Sequence, residues 1–238
     1  MSFDRIIEFK RDNIDIYLKA VAKEYRRLSG KGTPAELILV GGASVLINYG
    51  FRNMTTDIDA LILASSCMKD AINRVGDIYG LPNGWLNADF QDTPSYSPRL
   101  FQYSEYYKTY SNIVTIRTVS AEYLIAMKLR SGRQYKNDLS DILGILSEHK
   151  KRNDPLTIEQ IRNAYSTLYG NWETISESSQ VFIENVMKNG HFDDMYEKTI
   201  SEEEKSKDIL VKFEQNYPGT ANISNVNEII AALRKRLE

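Results

Sequence analysis

The chain is poor in the residues that most metal and thiol chemistries require. Of its 238 residues one is cysteine, Cys67, and two are histidines, His149 and His191. A lone cysteine excludes a disulfide framework and any cysteine-based zinc cluster. Two histidines leave little for His-dependent metal sites or catalytic triads. Excess charge of one sign is also missing. The 30 Lys and Arg stand against 32 Asp and Glu, for a formal net charge of −2. That balance excludes a histone-like coat protein and leaves nucleic-acid contact only to a local basic site. No apolar run reaches the ~18 residues of a membrane helix, so no membrane partner is expected. The opening Met1-Ser2-Phe3-Asp4-Arg5 puts charges where a signal peptide needs an apolar core. The expectation is a soluble protein of the reducing cytoplasm.

What is present is enough chain for a large core. At roughly 150 residues per domain the length corresponds to about 1.6 domains, and a chain of this size buries about 70% of its unfolded surface without staples. Helical spacing of Ile6, Ile7, Ile14, Leu18, Val21, Tyr25 and Leu28 predicts a helix from 3 to about 28, ended by the Gly- and Pro-containing stretch 29–34. Strands are expected at 36–40, 58–63 and 113–119 and helices at 43–49 and 68–79, with loops and short strands over 81–111. From Ser120 onward the pattern stays helical: 121–131, 138–150, 157–169, 175–189, 199–216 and 224–237. The fold class is therefore α+β, a mixed β-sheet domain flanked by helices (1–120) followed by a helical domain (121–238). The acid-rich run 201–205 reads as a solvated helix start.

The chemistry concentrates in Leu39-Val40-Gly41-Gly42-Ala43-Ser44 and in Arg52-Asn53-Met54-Thr55-Thr56-Asp57-Ile58-Asp59. Residues i and i+2 of a strand share a face, about 6.6 Å apart at ~3.3 Å per residue. Asp57 and Asp59 would thus stand side by side, with Ile58 and Ala60 facing the other way. Two such carboxylates repel each other unless a cation lies between them. A hard divalent ion, Mg²⁺ or Mn²⁺, takes oxygen ligands and is commonly satisfied by one or two protein carboxylates. Gly41-Gly42 at a strand-to-helix junction lets a phosphate approach the backbone and the helix N-terminus, and the Ser44 hydroxyl adds a donor. Each motif alone is commonly structural: a Gly-Gly turn, or a capping Asp pair. Together, in this order, with Arg52 and Thr56 in the connecting turn, they supply a phosphate cradle beside a metal-holding acid pair. That is the minimum for phosphoryl or nucleotidyl transfer, whose catalysis is positioning and charge neutralisation.

These residues resemble the nucleotidyltransferase superfamily of the DNA polymerase β type, whose signature is Gly-Gly or Gly-Ser followed by Asp-x-Asp. More narrowly they look like the AbiEii/AbiGii-toxin-like bacterial nucleotidyltransferases and their uncharacterised relatives. The matching elements are Gly41-Gly42-Ala43-Ser44, Arg52 to Asp59, Lys128-Leu129 and Asp138-Leu139-Ser140-Asp141, with Trp85-Leu86-Asn87 similar to a further element. The resemblance spans residues 38 to about 146. It implies an NTP substrate, metals on Asp57 and Asp59, phosphates on Gly41, Gly42 and Ser44, and charge neutralisation by Lys128 and Arg52. It also implies a toxin role in a toxin–antitoxin or phage-defence pair, with tRNA or protein as acceptor and a cognate antitoxin as partner. One element departs from the superfamily: the expected strand 113–119 carries no acid, only Arg117. Asp138 or Asp141, three residues apart on one helix face, is the candidate for the missing acid's catalytic place, against their plain reading as helix-start caps. If neither serves, the chain is a catalytically silent nucleotide- or partner-binding module of the same fold. A small-molecule nucleotidyltransferase of the antibiotic-modifying kind is a less favoured option.

Other motifs carry less. Gly30-Lys31-Gly32-Thr33 lacks the spaced first glycine of a P-loop, and Gly42-Ala43-Ser44-Val45-Leu46 lacks the last glycine of a nucleophile elbow. Arg130, Arg133 and Lys136 form a local cationic arm for a triphosphate or an RNA backbone. Tyr96, Phe101, Tyr103, Tyr106, Tyr107 and Tyr110, with Arg99 and Lys108, make an aromatic cluster that reads as packing or partner contact before base stacking.

Overall fold

The computed structural model describes residues 7–133, 135–222 and 225–237; the expected helical residues 3–6 and the expected last-helix start at 224 lie outside them. The elements run α1 (Arg11–Ser29), β1 (Ala35–Leu39), α2 (Gly41–Asn48), β2 (Ile58–Leu63), α3 (Cys67–Tyr79), β3 (Leu86–Asn87), β4 (Ser104–Tyr110) and β5 (Val114–Val119). Two 3₁₀ turns, Asp89–Asp92 and Pro98–Tyr103, lie between β3 and β4. Then come α4 (Ala121–Ser131), α5 (Asp138–Lys151), α6 (Ile158–Tyr169), α7 (Glu177–Asn189), α8 (Phe192–Asn216) and α9 (Val226–Leu237). The protein is an α+β fold, a five-stranded mixed sheet flanked by helices and followed by a helical C-terminal region.

The sheet has the order β3-β2-β1-β5-β4. β1 is central, antiparallel to β2 and parallel to β5, while β3 runs parallel to β2 and β4 antiparallel to β5. Because strand side chains alternate, β1 feeds two cores at once. Leu37 and Leu39 pack with Ile14, Leu18, Val21 and Tyr25 of α1 and with Met68 and Val75 of α3. Ile38 and Val40 pack instead with Leu124 and Ile125 of α4, a cluster that continues through Ile145 of α5 and Ile161 of α6 to Ile183 of α7. A strand apolar on both faces is the expected signature of a central position covered on both sides.

Three boundaries differ from the expectations, each for a local reason. The first helix begins at Arg11 because Phe9 is extended and exchanges both backbone hydrogen bonds with Thr55, at 2.8 and 2.9 Å. Gly41-Gly42 is the first turn of α2 rather than a break before it. The acid-rich run 201–205 is the interior of a helix that starts seven residues earlier than expected, at Phe192, and Glu203 within it is buried.

One contact tests how tightly the two halves are joined. Gly144 of α5 lies under Phe51, and a Cβ there would clash with the ring carbon Cε2. Helix propensity alone favours Gly144→Ala by ~1 kcal/mol; overpacking opposes it by about 1–3 kcal/mol. Urea denaturation is expected to show Gly144→Ala destabilising in the native background and neutral or stabilising once Phe51→Ala has removed the ring.

Candidate functional site

The site forms where β1 ends, α2 begins and β2 starts. The Val40 N–H donates to the Asp59 carbonyl at 2.9 Å, which ties the end of β1 to β2 beside the diacid. Gly41 then takes φ +53, a left-handed value that an L side chain adopts at a cost. A Cβ at Gly41 would lie 3.6 Å from Asp59 Oδ2, so the first turn of α2 opens directly onto that carboxylate. The first helical hydrogen bond is made by the Ser44 N–H to the Val40 carbonyl. The N–H groups of Gly41, Gly42 and Ala43 precede it and form the helix's positive end.

The two acids differ in setting. Asp57 is exposed and sits just before β2, its carbonyl accepting from Thr55 Oγ1 at 3.1 Å. Asp59 is half-buried on the strand, and burial pushes its carboxyl up, as does the charge of Asp57; Lys136, Arg133 and Asn87 act against them. A carboxylate raised by burial and a like charge is one that a bound cation relieves. Asn87 stands opposite Asp59 in the β2–β3 register. The Trp85-Leu86-Asn87 element thus flanks the diacid, anchored by the buried Trp85, whose Nε1–H donates to the Ile72 carbonyl at 3.2 Å. Among the described residues no group of three or more His, Cys, Asp or Glu is placed to hold a metal.

Arg52 lies across the same turn. Its Nε donates to the Met54 carbonyl at 3.1 Å, its Nη1 to Asp141 Oδ2, and its Nη2 stands 2.9 Å from where a Gly42 Cβ would be. Thr55 Oγ1 is 2.7 Å from the same point. Gly42 is therefore required by the close approach of Arg52 and Thr55, a packing reason that differs from the open phosphate access expected of it.

Behind this turn lies a buried ion cluster. Lys128 of α4, only 7% exposed, places Nζ 3.0 Å from Asp138 Oδ1 and 2.6 Å from Asp141 Oδ2. Arg133 donates from Nε to Asp138 Oδ2 at 2.9 Å and from Nη2 to Oδ1 at 3.2 Å. Burial alone would push the Asp138 carboxyl up, but Lys128 and Arg133 override it and hold it well below the ordinary range. Burial likewise opposes the Lys128 charge, and Asp141 and Asp138 keep it on. Three cations and two carboxylates leave one positive charge, and the charge of Arg133 acts on Asp59.

This arrangement places several of the expected site residues elsewhere. Ser44 is fully buried, and its Oγ accepts the Val119 N–H at 3.2 Å, pinning α2 to the end of β5 rather than facing a phosphate. Lys128, expected at a phosphate, is enclosed by Asp138 and Asp141, and those two acids answer to Lys128, Arg52 and Arg133. Thr56 is exposed on a groove of about 890 Å³ lined by Tyr17, Tyr79, Lys10 and Asn13. Of the cationic arm, Arg130 turns away to Tyr165 Oη and the Thr174 carbonyl, each at 3.2 Å, while the charges of Arg133 and Lys136 act on Asp59. The aromatic cluster is largely packing: Tyr107 and Lys108 bind Asp15 of α1, and Tyr103 stacks on Tyr123 at 3.9 Å. Asn87 is signalled in the sequence only as part of the Trp85-Leu86-Asn87 element, without a role beside the diacid, and Glu203 has no sequence signal of a role in the site.

A family model described as a nucleotidyltransferase of unknown function (DUF6036) matches residues 17–177, more than half of the chain. The chain belongs to that family. No curated protein and no solved structure matches it. The matched segment contains the Gly41-Gly42 turn, the diacid and the whole ion cluster, and stops at the first residue of α7.

The ion cluster predicts a large penalty for its central cation. Lys128→Met leaves two buried carboxylates facing each other, and breaking a buried pair costs about 3–5 kcal/mol. The arginines that remain place this variant near 3 kcal/mol in urea denaturation. Adding Asp138→Asn and Asp141→Asn to the same chain is expected to restore part of that loss.

Proposed function

We propose that the protein transfers a nucleoside monophosphate from an NTP to an acceptor, with a divalent Mg²⁺ or Mn²⁺ held by Asp57 and Asp59. The observation that carries this reading is Asp59, with Asp57 two residues before it, standing against the open first turn of α2 in a chain of the nucleotidyltransferase family. The donor set suits the ion: two carboxylates, one raised by burial and by its neighbour's charge, with substrate phosphates to complete the shell. Bound there, the ion would neutralise charge on the phosphates and polarise the phosphorus under attack.

The chain's own residues do the rest. The N–H groups of Gly41 and Gly42 and the positive end of α2 receive phosphate oxygens. Arg52 on the same turn, and Arg133 and Lys136, whose charges already act on Asp59, offset the charge of the departing pyrophosphate. The acceptor oxygen forms its bond to the α-phosphorus as the bond to pyrophosphate breaks, and the acceptor's proton leaves to solvent. Lys128, Asp138 and Asp141 act indirectly, by fixing the two arginines. The resemblance to AbiEii-like toxins makes tRNA or a protein the acceptor to try first, and a cognate antitoxin the partner. A second reading, a silent nucleotide-binding module, is favoured by the lack of a third acid beside the diacid among the described residues.

Incubation with α-labelled NTPs, Mg²⁺ or Mn²⁺, and either total tRNA or cell lysate separates the two. Label is expected on one acceptor class and is expected to vanish in Asp57→Ala and Asp59→Ala. Transfer that survives both substitutions would falsify the mechanism. Calorimetric nucleotide binding that needs no metal and yields no turnover supports the silent module.

A further inference from the structure

α5 does not cap itself. Its N-cap residue, Asn137, makes no side-chain hydrogen bond to the helix end, although the first turn of any helix presents unpaired N–H groups. Glu203 of α8 supplies the acceptor from 64 positions away in sequence. Its Oε1 takes the Leu139 N–H at 2.9 Å and the Ser140 N–H at 3.3 Å. The side chain is 6% exposed, between two exposed glutamates, Glu202 and Glu204. Leu139 and Ser140 lie between Asp138 and Asp141, the two acids that hold Lys128, Arg133 and Arg52. α8 also lies beyond the segment that the family model matches.

We propose that Glu203 is a positioning residue of the site, a cap donated by α8 that fixes the first turn of α5 and thereby the two carboxylates that aim Arg52 and Arg133. Its consequence for transfer rests on the nucleotidyl-transfer reading; the cap itself does not. The surroundings favour a neutral carboxyl. From α5 it meets the Ser140 hydroxyl and the Asp141 carboxylate, and on α8 the phenol of Tyr196 feels its charge. Arg234 of α9 binds the Glu202 carbonyl and the Ser206 hydroxyl instead. Among the described residues α7 brings no charged side chain into bonding contact with it, and Oε2 is buried without a partner. Burial first, and then Asp141, push the carboxyl up to about 7, against the bonds from Ser140 and Leu139.

A folded-state value raised above the ordinary 4.5 means that the carboxyl's contribution to stability is full below about 4.5 and is lost as pH rises through about 7, while the oxygen that accepts the two N–H groups is kept in either form. The test is hydrogen exchange at the Leu139 and Ser140 amides of the full chain, with transfer kinetics alongside. Glu203→Gln keeps the acceptor and cannot ionise; Glu203→Leu removes it. At pH 6 the native and Gln proteins are expected to protect both amides equally, and the Leu protein about tenfold less, the equivalent of one hydrogen bond. The Leu protein should also lose kcat with little change in nucleotide KM, and the Gln protein should restore it; from pH 4.5 to 7 the native protein should lose stability in urea relative to the Gln protein. Equal protection in native and Leu proteins overturns the cap. So does exchange of the Leu139 and Ser140 amides in the native protein at the rate of an unstructured peptide, and that measurement decides alone if the Leu protein fails to fold. Amide behaviour as expected with no transfer to any acceptor leaves the cap standing and removes the transfer reading instead.

Discussion

The structure around the site depends on one ammonium group that has been taken out of water. Moving Lys128 into the interior costs several kcal/mol before any partner is counted. The cost is offset only because Asp138 and Asp141 meet it from one face of α5, with Arg133 and Arg52 closing the outer sides of those two acids. Each member is tolerable only with the others in place, so the cluster is cooperative and geometrically exacting. It draws together three segments that share no secondary structure: α4, the start of α5, and the turn between α2 and β2. Apolar packing through Val45, Leu124 and Ile145 brings these segments near each other but is non-directional. The ion pairs decide the register in which they meet.

That register explains the paired glycines better than phosphate access alone does. Arg52 must reach Asp141 past the first turn of α2, and any side chain at position 42 would stand in its way. Gly41 answers to a different constraint, a left-handed backbone that turns the chain from β1 into α2 with Asp59 beside it. Two adjacent glycines therefore serve two ends of one task. One seats the arginine, and the other leaves the helix end open to the carboxylate. A site of this kind draws its polarity from Asp, Arg, Lys and backbone N–H groups, which fits a chain with two histidines and a single cysteine.

What could be read from the sequence was whatever a single element determines. The apolar strand at 36–40 and the spacing of Ile14, Leu18, Val21 and Tyr25 reflect one strand covered on both faces and one helix burying one, and β1, β2, α3, α4 to α7 and the end of α1 lie close to the expected positions. Asp57 and Asp59 stood out because two carboxylates at strand spacing are costly without a purpose. Side-chain direction was less legible. Ser44 follows the glycine turn in sequence, yet the rotation of α2 turns its hydroxyl to Val119 of a strand 75 residues away. Lys128 looked like a cation with nothing beside it, because its acids arrive from the next helix. Arg130 and Arg133 are three residues apart, but Gly132 at φ +56 ends α4 between them, and they part to opposite sides. None of these directions is encoded within the element that carries the residue.

Glu203 is the extreme case of that limit, and it bears on what counts as the functional unit. In isolation, Ser201 to Lys205 has the composition of a solvated helix face, and charged side chains are rarely buried without a partner. Its partner is not a charge but two backbone N–H groups left open because Asn137 does not cap its own helix. The segment 17–177 that defines the family contains every member of the ion cluster yet ends before the residue that closes this helix end. Within that segment alone, Leu139 and Ser140 would have their N–H groups unpaired directly beneath Asp138 and Asp141, where the backbone must be held most firmly. An unmet pair of donors at that place is a requirement on whatever follows residue 177, and in this chain α8 meets it.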